Sequence, residues 1–360
     1  REALMRLTEV NGCDTRPIHR DIKWHPRYNP SQYALCWLGQ SICFDFQHSV
    51  APNKPIFDTE WHSVQTVAYN NKDIPREHMR AALWLAYLHG LAGHKIWWWS
   101  RTGVRPRGKW FQGSLLSQPQ LLDSLARTHL KIKKHADIVR KLVQRERPVR
   151  VLYSEPSAIQ SVKYLDHQLA TYEALHFAGV PVGFVTERML QKKGVPAGCK
   201  LLVIPDTSYT WDATVRALQK ARRNGTPMVV VGDEAFRYDE HGRERSEAAL
   251  SFLQNVPQLS VSEPRTLLGK LEPVMRSSGI QRSVRCVNGE GETAWGVEFR
   301  TASKGDETLA YVINISSEPK TVYLTRRGNR IQKAQDLLQN AQTDIRPLKL
   351  KPLDVRLLQL

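Results

Sequence analysis

Residues 54–63 read Lys-Pro-Ile-Phe-Asp-Thr-Glu-Trp-His-Ser, and this stretch decides how the rest of the chain is interpreted. A proline-led apolar run of this length predicts a short strand, and the strand ends in the carboxylate of Glu60. In barrel enzymes the chemistry lies at the carboxyl ends of the strands. Glu60 is therefore the first candidate catalytic residue. The alternative is a solvated glutamate that forms a salt bridge at a strand end.

Alternation along the same strand predicts that Ile56, Asp58 and Glu60 share one face. Asp58 then lies one layer deeper than Glu60, where an unpaired carboxylate costs several kcal/mol. We therefore expect Asp58 to have a cationic or multiple hydrogen-bonding partner on a neighbouring strand. Its expected role is to support the site, and Glu60 is the residue that reacts.

Strand-like and helical segments alternate on both sides of this stretch, over residues 1–145. Short strands are predicted at 10–14 and 94–100, and helices at 1–9, 31–50 and 76–91. This order predicts a parallel sheet with crossover helices. The three strands in series resemble the last three strands of a (β/α)₈ barrel.

The remaining sequence divides into two further zones. Residues 148–278 contain four continuous apolar runs, which predict strands covered by helices on both faces of a doubly wound α/β domain. The runs are at 149–153, 180–185, 200–204 and 227–231, with predicted helices at 162–178 and 212–223. From about residue 282 the period changes to two, which predicts a small antiparallel β-sandwich or barrel over 282–360.

Aromatic and polar residues near the predicted strand ends are candidate sugar contacts. Indole rings stack on the apolar faces of sugars, and Trp99 either provides such a platform or belongs to the core. Trp61, next to Glu60, is a further expected substrate contact. Asp14 ends the first strand and either binds a sugar hydroxyl or caps the following turn. His62 and Arg101 follow strands and either donate hydrogen bonds to a ligand or order their loops.

The composition of the chain argues against several other classes of protein. The net charge of +17 raises the possibility of a nucleic-acid-binding protein, but basic residues are spread along the chain and no recognition motif accompanies them. No apolar run is long enough to cross a bilayer, and no targeting signal is recognisable. The five cysteines lack metal-ligand spacing and are expected to be buried free thiols, with no bound metal or cofactor.

Four features together resemble the end of the catalytic barrel in the family 42 glycoside hydrolases, which include β-galactosidases. They are the proline-led strand with its carboxylate, a helix ending in His89-Gly90-x-x-Gly93, the aromatic strand, and Gly-Lys-Trp-Phe-Gln-Gly at 108–113. That family's barrel is followed by a flavodoxin-like trimerisation domain and a small β domain. Residues 147–154, 308–316 and 348–358 are similar to strands of those two domains.

The resemblance implies a retaining glycosidase of homotrimeric assembly, with Glu60 as nucleophile and an oligo- or polysaccharide as substrate. Retaining enzymes also need an acid/base carboxylate. The family's acid/base glutamate follows an asparagine at the end of an earlier strand, and no such strand is found in this sequence. Ser100 stands where the family usually has tryptophan. The alternative function is a non-catalytic carbohydrate-binding or assembly module built from the same parts.

Overall fold

The structure of the protein is a computed structural model that describes residues 2–21, 32–64, 74–97 and 115–360. The chain forms two compact units. One comprises Arg1–Met5 with Glu146–Arg282, and the other comprises Arg6–Arg145 with Ser283–Leu360. The first and last predicted domains therefore pack into a single unit, and the division into three domains stays a prediction. No helix of the described part has the length and apolar character needed to cross a bilayer.

A three-stranded parallel sheet with helices on one face forms the first part of the larger unit. The strand order is β1-β2-β3, and a buried cluster of Phe44, Ile56, Ala86 and Leu91 lies between this sheet and its helices. A short 3₁₀ helix at Leu115–Ser117 precedes α4. Helix α1 (Glu2–Arg6) comes first in the chain, and all but its last residue belongs to the unit that contains Glu146–Arg282. The elements of this part of the larger unit are β1 (Asn11–Cys13), α2 (Leu38–Val50), β2 (Ile56–Trp61), α3 (Arg76–Leu88), β3 (Leu91–Ile96), α4 (Pro119–Lys134) and α5 (Ala136–Val143).

Several predicted boundaries in this part are wrong, and those of one helix and one strand differ most from the structure. The helix predicted at 31–50 begins only at Leu38, because the preceding backbone forms bridges to other segments, Leu35 to His19 and Tyr33 to Ser316. The strand predicted at 94–100 begins at Leu91 and ends at Ile96. Gly90 has φ +102°, a conformation that glycine adopts without strain, and it turns the chain from α3 directly into β3.

The smaller unit has a five-stranded parallel sheet in the order β5-β4-β6-β7-β8, which is the flavodoxin-like order 2-1-3-4-5. Side-chain hydroxyls of Ser154, Ser161 and Thr186 cap the helices that follow. Its elements are β4 (Val149–Tyr153), α6 (Glu155–Gln160), α7 (Val162–His176), β5 (Val182–Thr186), α8 (Glu187–Lys193), β6 (Leu201–Pro205), α9 (Asp212–Arg223), β7 (Met228–Val231), a 3₁₀ helix (Glu247–Leu253), β8 (Gln258–Leu259) and α10 (Pro264–Ser277).

The C-terminal part is a sandwich of two antiparallel sheets. One sheet has the order β10-β11-β17-β14-β15, and the other has β13-β12-β16 with β9 paired to β12. A buried core that includes Phe299, Val312, Leu324 and Leu350 lies between the two sheets. The strands are β9 (Val284–Val287), β10 (Val297–Lys304), β11 (Glu307–Asn314), β12 (Lys320–Arg326), β13 (Asn329–Arg330), β14 (Lys333–Asp336), β15 (Ala341–Asp344), β16 (Leu348–Leu350) and β17 (Val355–Gln359). The predicted fold class is thereby confirmed as mixed α/β with parallel and antiparallel sheets. The domain order of a family 42 enzyme stays a prediction.

A buried ionic cluster connects the first and last parts of the larger unit. His89, which follows α3, lies 3.0 Å from Asp45 of α2 and 3.0 Å from Glu298 of β10. Burial alone would lower the pKa of His89, but the two carboxylates outweigh it and raise the pKa. Arg300 of β10 lies 3.7 Å from Asp45 and 3.6 Å from Glu298, and all four side chains are at most 2% exposed. The Tyr311 hydroxyl also donates to Glu298.

Replacement of Arg300 by methionine should leave Asp45 and Glu298 with too little positive charge around them. Removal of one partner from a buried ionic cluster costs about 3–5 kcal/mol, so the free energy of unfolding should fall by that order. Urea unfolding followed by circular dichroism measures it. The control is Arg127→Ala, which breaks an exposed pair with Asp123 and should cost about 0–1 kcal/mol. Equal losses in both variants would contradict a structural role for the cluster.

Candidate active site

Glu60 lies at a β-bulge near the carboxyl end of β2. Asp58 pairs with His94 and Trp61 pairs with Ile96, so Thr59 and Glu60 together lie opposite the single residue Lys95. The two residues within the bulge are more exposed than the residues on either side of it. Asp58 and Trp61 are fully buried, whereas Thr59 is exposed and the Glu60 side chain is 39% exposed. The predicted alternation of Ile56, Asp58 and Glu60 is therefore wrong at Glu60, because a bulge adds one residue and shifts the pattern.

Asp58 is held by Thr15, the second residue after the end of β1. The Thr15 backbone N–H donates to Asp58 Oδ1 at 3.3 Å, and the Thr15 hydroxyl donates to Oδ2. Burial raises the pKa of Asp58 to about 6, although the bonds from Thr15 and from the Glu60 backbone N–H oppose this rise. Thr15 thus supplies the expected hydrogen-bonding partner, and sequence reasoning did not identify it. The supporting role of Asp58 stays a prediction.

A second set of contacts joins the ends of β1 and β2. The Thr59 hydroxyl lies 2.5 Å from the Asp14 carboxylate and 3.0 Å from the Cys13 carbonyl. Asp14 is exposed and remains open to solvent beside this contact. The His62 backbone N–H donates to the Thr15 carbonyl at 2.9 Å. The structure therefore brings the predicted residues Asp14, Asp58, Glu60 and His62 together at one end of the sheet.

The His62 ring lies next to the Glu60 carboxylate, with 3.4 Å between Nε2 and Oε2. Burial lowers the pKa of His62 and the charge of Arg16 lowers it further, while Glu60 and Asp14 act in the opposite direction. Because the net shift is downward, the imidazole is mostly neutral at pH 7. A neutral imidazole can orient the Glu60 carboxylate by a hydrogen bond without cancelling its charge.

Of the predicted substrate contacts Trp61, Trp99 and Arg101, the structure describes Trp61. Trp61 is fully buried, and its indole N–H donates to Gln40 Oε1 of α2 at 2.8 Å. A buried ring offers no face to a sugar, so the structure gives Trp61 a core role and the predicted substrate contact is wrong. Trp99 and Arg101 lie outside the described residues. Trp97 directly follows β3, and its ring lies 5.9 Å from that of His62.

A cavity of about 580 Å³ lies beside β3, and Phe57, Tyr87, His94, Lys95 and Trp97 are among the residues that line it. His94 stacks on His129 of α4, with 3.1 Å between their Nε2 atoms. Burial lowers the pKa of both rings, that of His94 to about 4, so both are neutral at pH 7. Sequence reasoning did not find this pair, because 35 residues separate its members.

The fold of the chain is similar to that of solved glycoside hydrolase structures. The apo exo-carrageenase of glycoside hydrolase family 42 from Bacteroides ovatus is 25% identical, with a TM-score of 0.85, and the match covers 99% of this chain and 49% of that one. A family 42 β-galactosidase from G. stearothermophilus is 14% identical, with a TM-score of 0.73 and coverages of 99% and 60%.

A β-galactosidase from Bacillus circulans sp. alkalophilus is 12% identical, with a TM-score of 0.70 and coverages of 99% and 61%. The chain thus spans between 49% and 61% of the length of these structures. The resemblance to family 42 glycoside hydrolases is confirmed at the level of the fold. No protein-family model matches the chain, and no curated protein matches it either.

The raised pKa of Asp58 predicts a specific dependence of stability on pH. The folded-state pKa of about 6 exceeds the usual 3.8, so the folded state binds the proton more tightly. The stability of the wild type should therefore fall as pH rises from 4 to 6, by at most about 3 kcal/mol relative to Asp58→Asn. Urea unfolding at pH 4, 5, 6 and 7 measures this difference.

Asp344→Asn is the matched control. Arg346 lowers the pKa of Asp344 to about 2, so this carboxylate is ionised throughout the pH range and its variant should show little change between pH 4 and 6. A pH-independent difference between the wild type and Asp58→Asn would show that Asp58 titrates normally.

Proposed function

We propose that this chain is part of a retaining glycoside hydrolase that cleaves β-linked, galactose-type carbohydrates, with Glu60 as the nucleophile. The observation that carries this proposal is the bulge in β2, which leaves a half-exposed carboxylate at the carboxyl end of a parallel strand. Barrel enzymes place their reacting groups at that end. The fold shared with family 42 glycoside hydrolases supports the same assignment.

The surroundings of Glu60 suit a nucleophile better than those of the other two carboxylates. Asp58 is fully buried and bonded by Thr15, and Asp14 is bonded by Thr59. Glu60 has an open approach and a neutral imidazole beside it that can hold one oxygen in place. Attack by the Glu60 carboxylate on the anomeric carbon forms a glycosyl–enzyme ester, which water then hydrolyses.

The same mechanism requires an acid/base carboxylate about 5–5.5 Å from the nucleophile, which protonates the leaving oxygen and then activates water. We propose that a strand outside these 360 residues carries it, at the position where family 42 places a glutamate after an asparagine. That strand would complete the barrel beside β1 or β3. Activity is therefore a property that we expect of the full-length protein.

Glu60→Gly in the full-length protein should abolish hydrolysis of nitrophenyl β-galactosides, because no carboxylate remains to form the ester. Added azide should then give the inverted α-galactosyl azide, since the small anion occupies the vacated space opposite the leaving group. Product stereochemistry is read by NMR. Glu60→Gln is the matched control, because its side chain fills the same space and should prevent rescue.

Near-normal turnover of Glu60→Gly would place the nucleophile elsewhere. Binding of galactosides without any hydrolysis by the wild-type, full-length protein would favour the alternative, a non-catalytic carbohydrate-binding or assembly module. These two results are distinct, because the first retains activity and the second never shows it.

Charge points to the chemical class of the substrate. The chain carries a net charge of +17, and the solved family 42 structure at 25% identity is an exo-carrageenase. Lys95 is exposed on β3 opposite the bulge, and the charge of exposed Arg16 reaches His62. We propose that the preferred substrate is a sulfated galactan, which a positively charged site attracts and holds.

Lys95→Gln should lower kcat/KM for a sulfated galacto-oligosaccharide by about tenfold, because one charge-assisted hydrogen bond is lost. The kcat/KM for the neutral analogue should change by less than about twofold. Steady-state kinetics with both substrates measure this difference. Lys131→Gln on α4 is the charge-matched control, and it should leave kcat/KM unchanged for both substrates. Equal rates on neutral and sulfated substrates in the wild type would refute the sulfated class and leave the glycosidase proposal intact.

Assembly as a homotrimer is also part of the proposal, by resemblance to the trimerisation domain of family 42. The smaller unit exposes apolar side chains on α6 and α7, with Ile159 79% and Val162 80% exposed. Leu165 of α7 is 43% exposed and extends this patch. Adjacent exposed apolar side chains of this kind mark association surfaces.

Val162→Asp should convert a trimer into monomers, because an interface buries a carboxylate only at a cost of several kcal/mol. Light scattering at micromolar concentration of the full-length protein gives the mass. Leu130→Asp is the control, since Leu130 is a similarly exposed leucine on α4 of the other unit. A monomeric wild type would contradict the trimer, and an unchanged Val162→Asp trimer would place the interface elsewhere.

A further inference from the structure

Two histidine rings from different elements meet beside the edge strand of the parallel sheet. His94 lies on β3 and His129 lies on α4, and their Nε2 atoms are 3.1 Å apart. The two ring planes are inclined by 14° to each other. The rings thus meet through nitrogens, which are the atoms by which imidazole binds transition-metal ions.

Packing holds both rings in place. His94 lies against the buried Trp61 indole, with 4.8 Å between the ring centroids. The Tyr87 ring of α3 meets both imidazoles edge-on, with its centroid 5.8 Å from that of His129 and 6.5 Å from that of His94. Because the fold already positions both rings, a ligand that binds to both loses little affinity to the ordering of side chains.

We propose that His94 and His129 together bind a divalent first-row transition-metal ion of the zinc type, with water as its remaining ligands. Imidazole nitrogen suits Zn²⁺, Cu²⁺ and Ni²⁺, whereas Mg²⁺ and Ca²⁺ prefer oxygen ligands. This proposal is independent of the glycosidase assignment, because it rests on the two imidazoles and the cavity beside them.

The distance between the two nitrogens suits one shared ion. Zinc–imidazole bonds are about 2.0–2.1 Å long, so an ion bound to nitrogens 3.1 Å apart has a nitrogen–metal–nitrogen angle of about 100°. This angle lies between the roughly 90° of octahedral or square-planar sites and the roughly 109° of tetrahedral sites. Sharing an ion therefore requires little change in the separation of the two nitrogens.

The protonation state leaves both nitrogens able to bind an ion. Burial lowers the pKa of both rings and so keeps both neutral at pH 7. Among the residues that the structure describes, no group hydrogen-bonds to the buried Nδ1 of His94, so this nitrogen can carry the ring proton and leave Nε2 unprotonated. Two unprotonated Nε2 atoms repel each other at this distance, and a shared cation removes that repulsion.

The cavity of about 580 Å³ beside β3 gives the ion access to water. His94 and His129 both line this cavity, and His129 also lines a second cavity of about 700 Å³. A water molecule takes about 30 Å³ of liquid volume, so two or more water ligands have room beside the ion. A bound ion would connect β3 to α4, and the metal-bound protein should unfold at a higher temperature than the metal-free protein.

The test is isothermal titration of Zn²⁺ into the full-length protein at pH 7.5, repeated with Mg²⁺. The wild type should bind one Zn²⁺ per chain that is lost in both His94→Gln and His129→Gln, with the affinity of this site lowered at least about tenfold, since each variant lacks one of the two protein ligands. His135→Gln is the matched control, because this half-buried histidine follows α4 and should leave the site intact. Mg²⁺ should not bind at this site.

Thermal unfolding gives a second readout. Saturating Zn²⁺ should raise the unfolding temperature of the wild type and of His135→Gln by more than that of His129→Gln. Circular dichroism verifies that each variant is folded. Should His94→Gln fail to fold, His129→Gln provides the test alone, since its half-buried side chain lies on a helix that accepts glutamine well.

Two results would overturn the proposal. The first is a zinc isotherm of folded His129→Gln that equals that of the wild type. The second is binding of Mg²⁺ to the wild type with the affinity of Zn²⁺ and loss of both ions in His129→Gln, because such a site does not select for imidazole-binding metals.

Discussion

The hydrogen bonds from Thr15 to the buried carboxylate of Asp58 are the contact on which the candidate site depends. A buried carboxylate is stable only when its oxygens are bonded, and the partner here comes from the segment after β1. The contact therefore fixes the carboxyl end of β1 against that of β2. Thr59 adds a second connection between the same strands through Asp14. The bulge lies at the same end of β2, and Glu60 within it is exposed to solvent.

This arrangement separates two acidic residues that are only two positions apart. Asp58 lies in the interior, where burial raises its pKa, and Glu60 lies half-exposed beside a neutral histidine. Different surroundings give neighbouring carboxylates different chemistry. The structure thus offers one carboxylate that is hydrogen-bonded in the interior and one that is open to a ligand.

A second buried cluster stabilises the larger unit. The charges of His89 and Arg300 bind Asp45 and Glu298 where the first and last parts of this unit pack together.

Sequence reasoning predicted most where periodicity is strong and local. The strand Val149–Tyr153 and the helix Asp212–Arg223 have the predicted bounds, because continuous apolar runs and a regular helical pattern need no distant partner. The position of Glu60 at a strand end was also predictable from the proline-led run. The prediction from alternation was wrong at Glu60 because a bulge arises from the pairing of two strands. The sequence of β2 alone does not show how many residues of β3 lie opposite it. Trp61 was misassigned because its partner, Gln40, belongs to a helix 21 residues earlier.

The central claim is that Glu60 forms the covalent bond to the sugar, and direct trapping tests it best. A 2-deoxy-2-fluoro β-galactoside with a good leaving group reacts with retaining enzymes but leaves a slowly hydrolysed glycosyl ester on the nucleophile. The full-length protein, treated with this reagent and digested with pepsin, should give one peptide with the added fluorosugar, and fragmentation should place the sugar on Glu60. A fluorosugar found on any other residue would contradict the account.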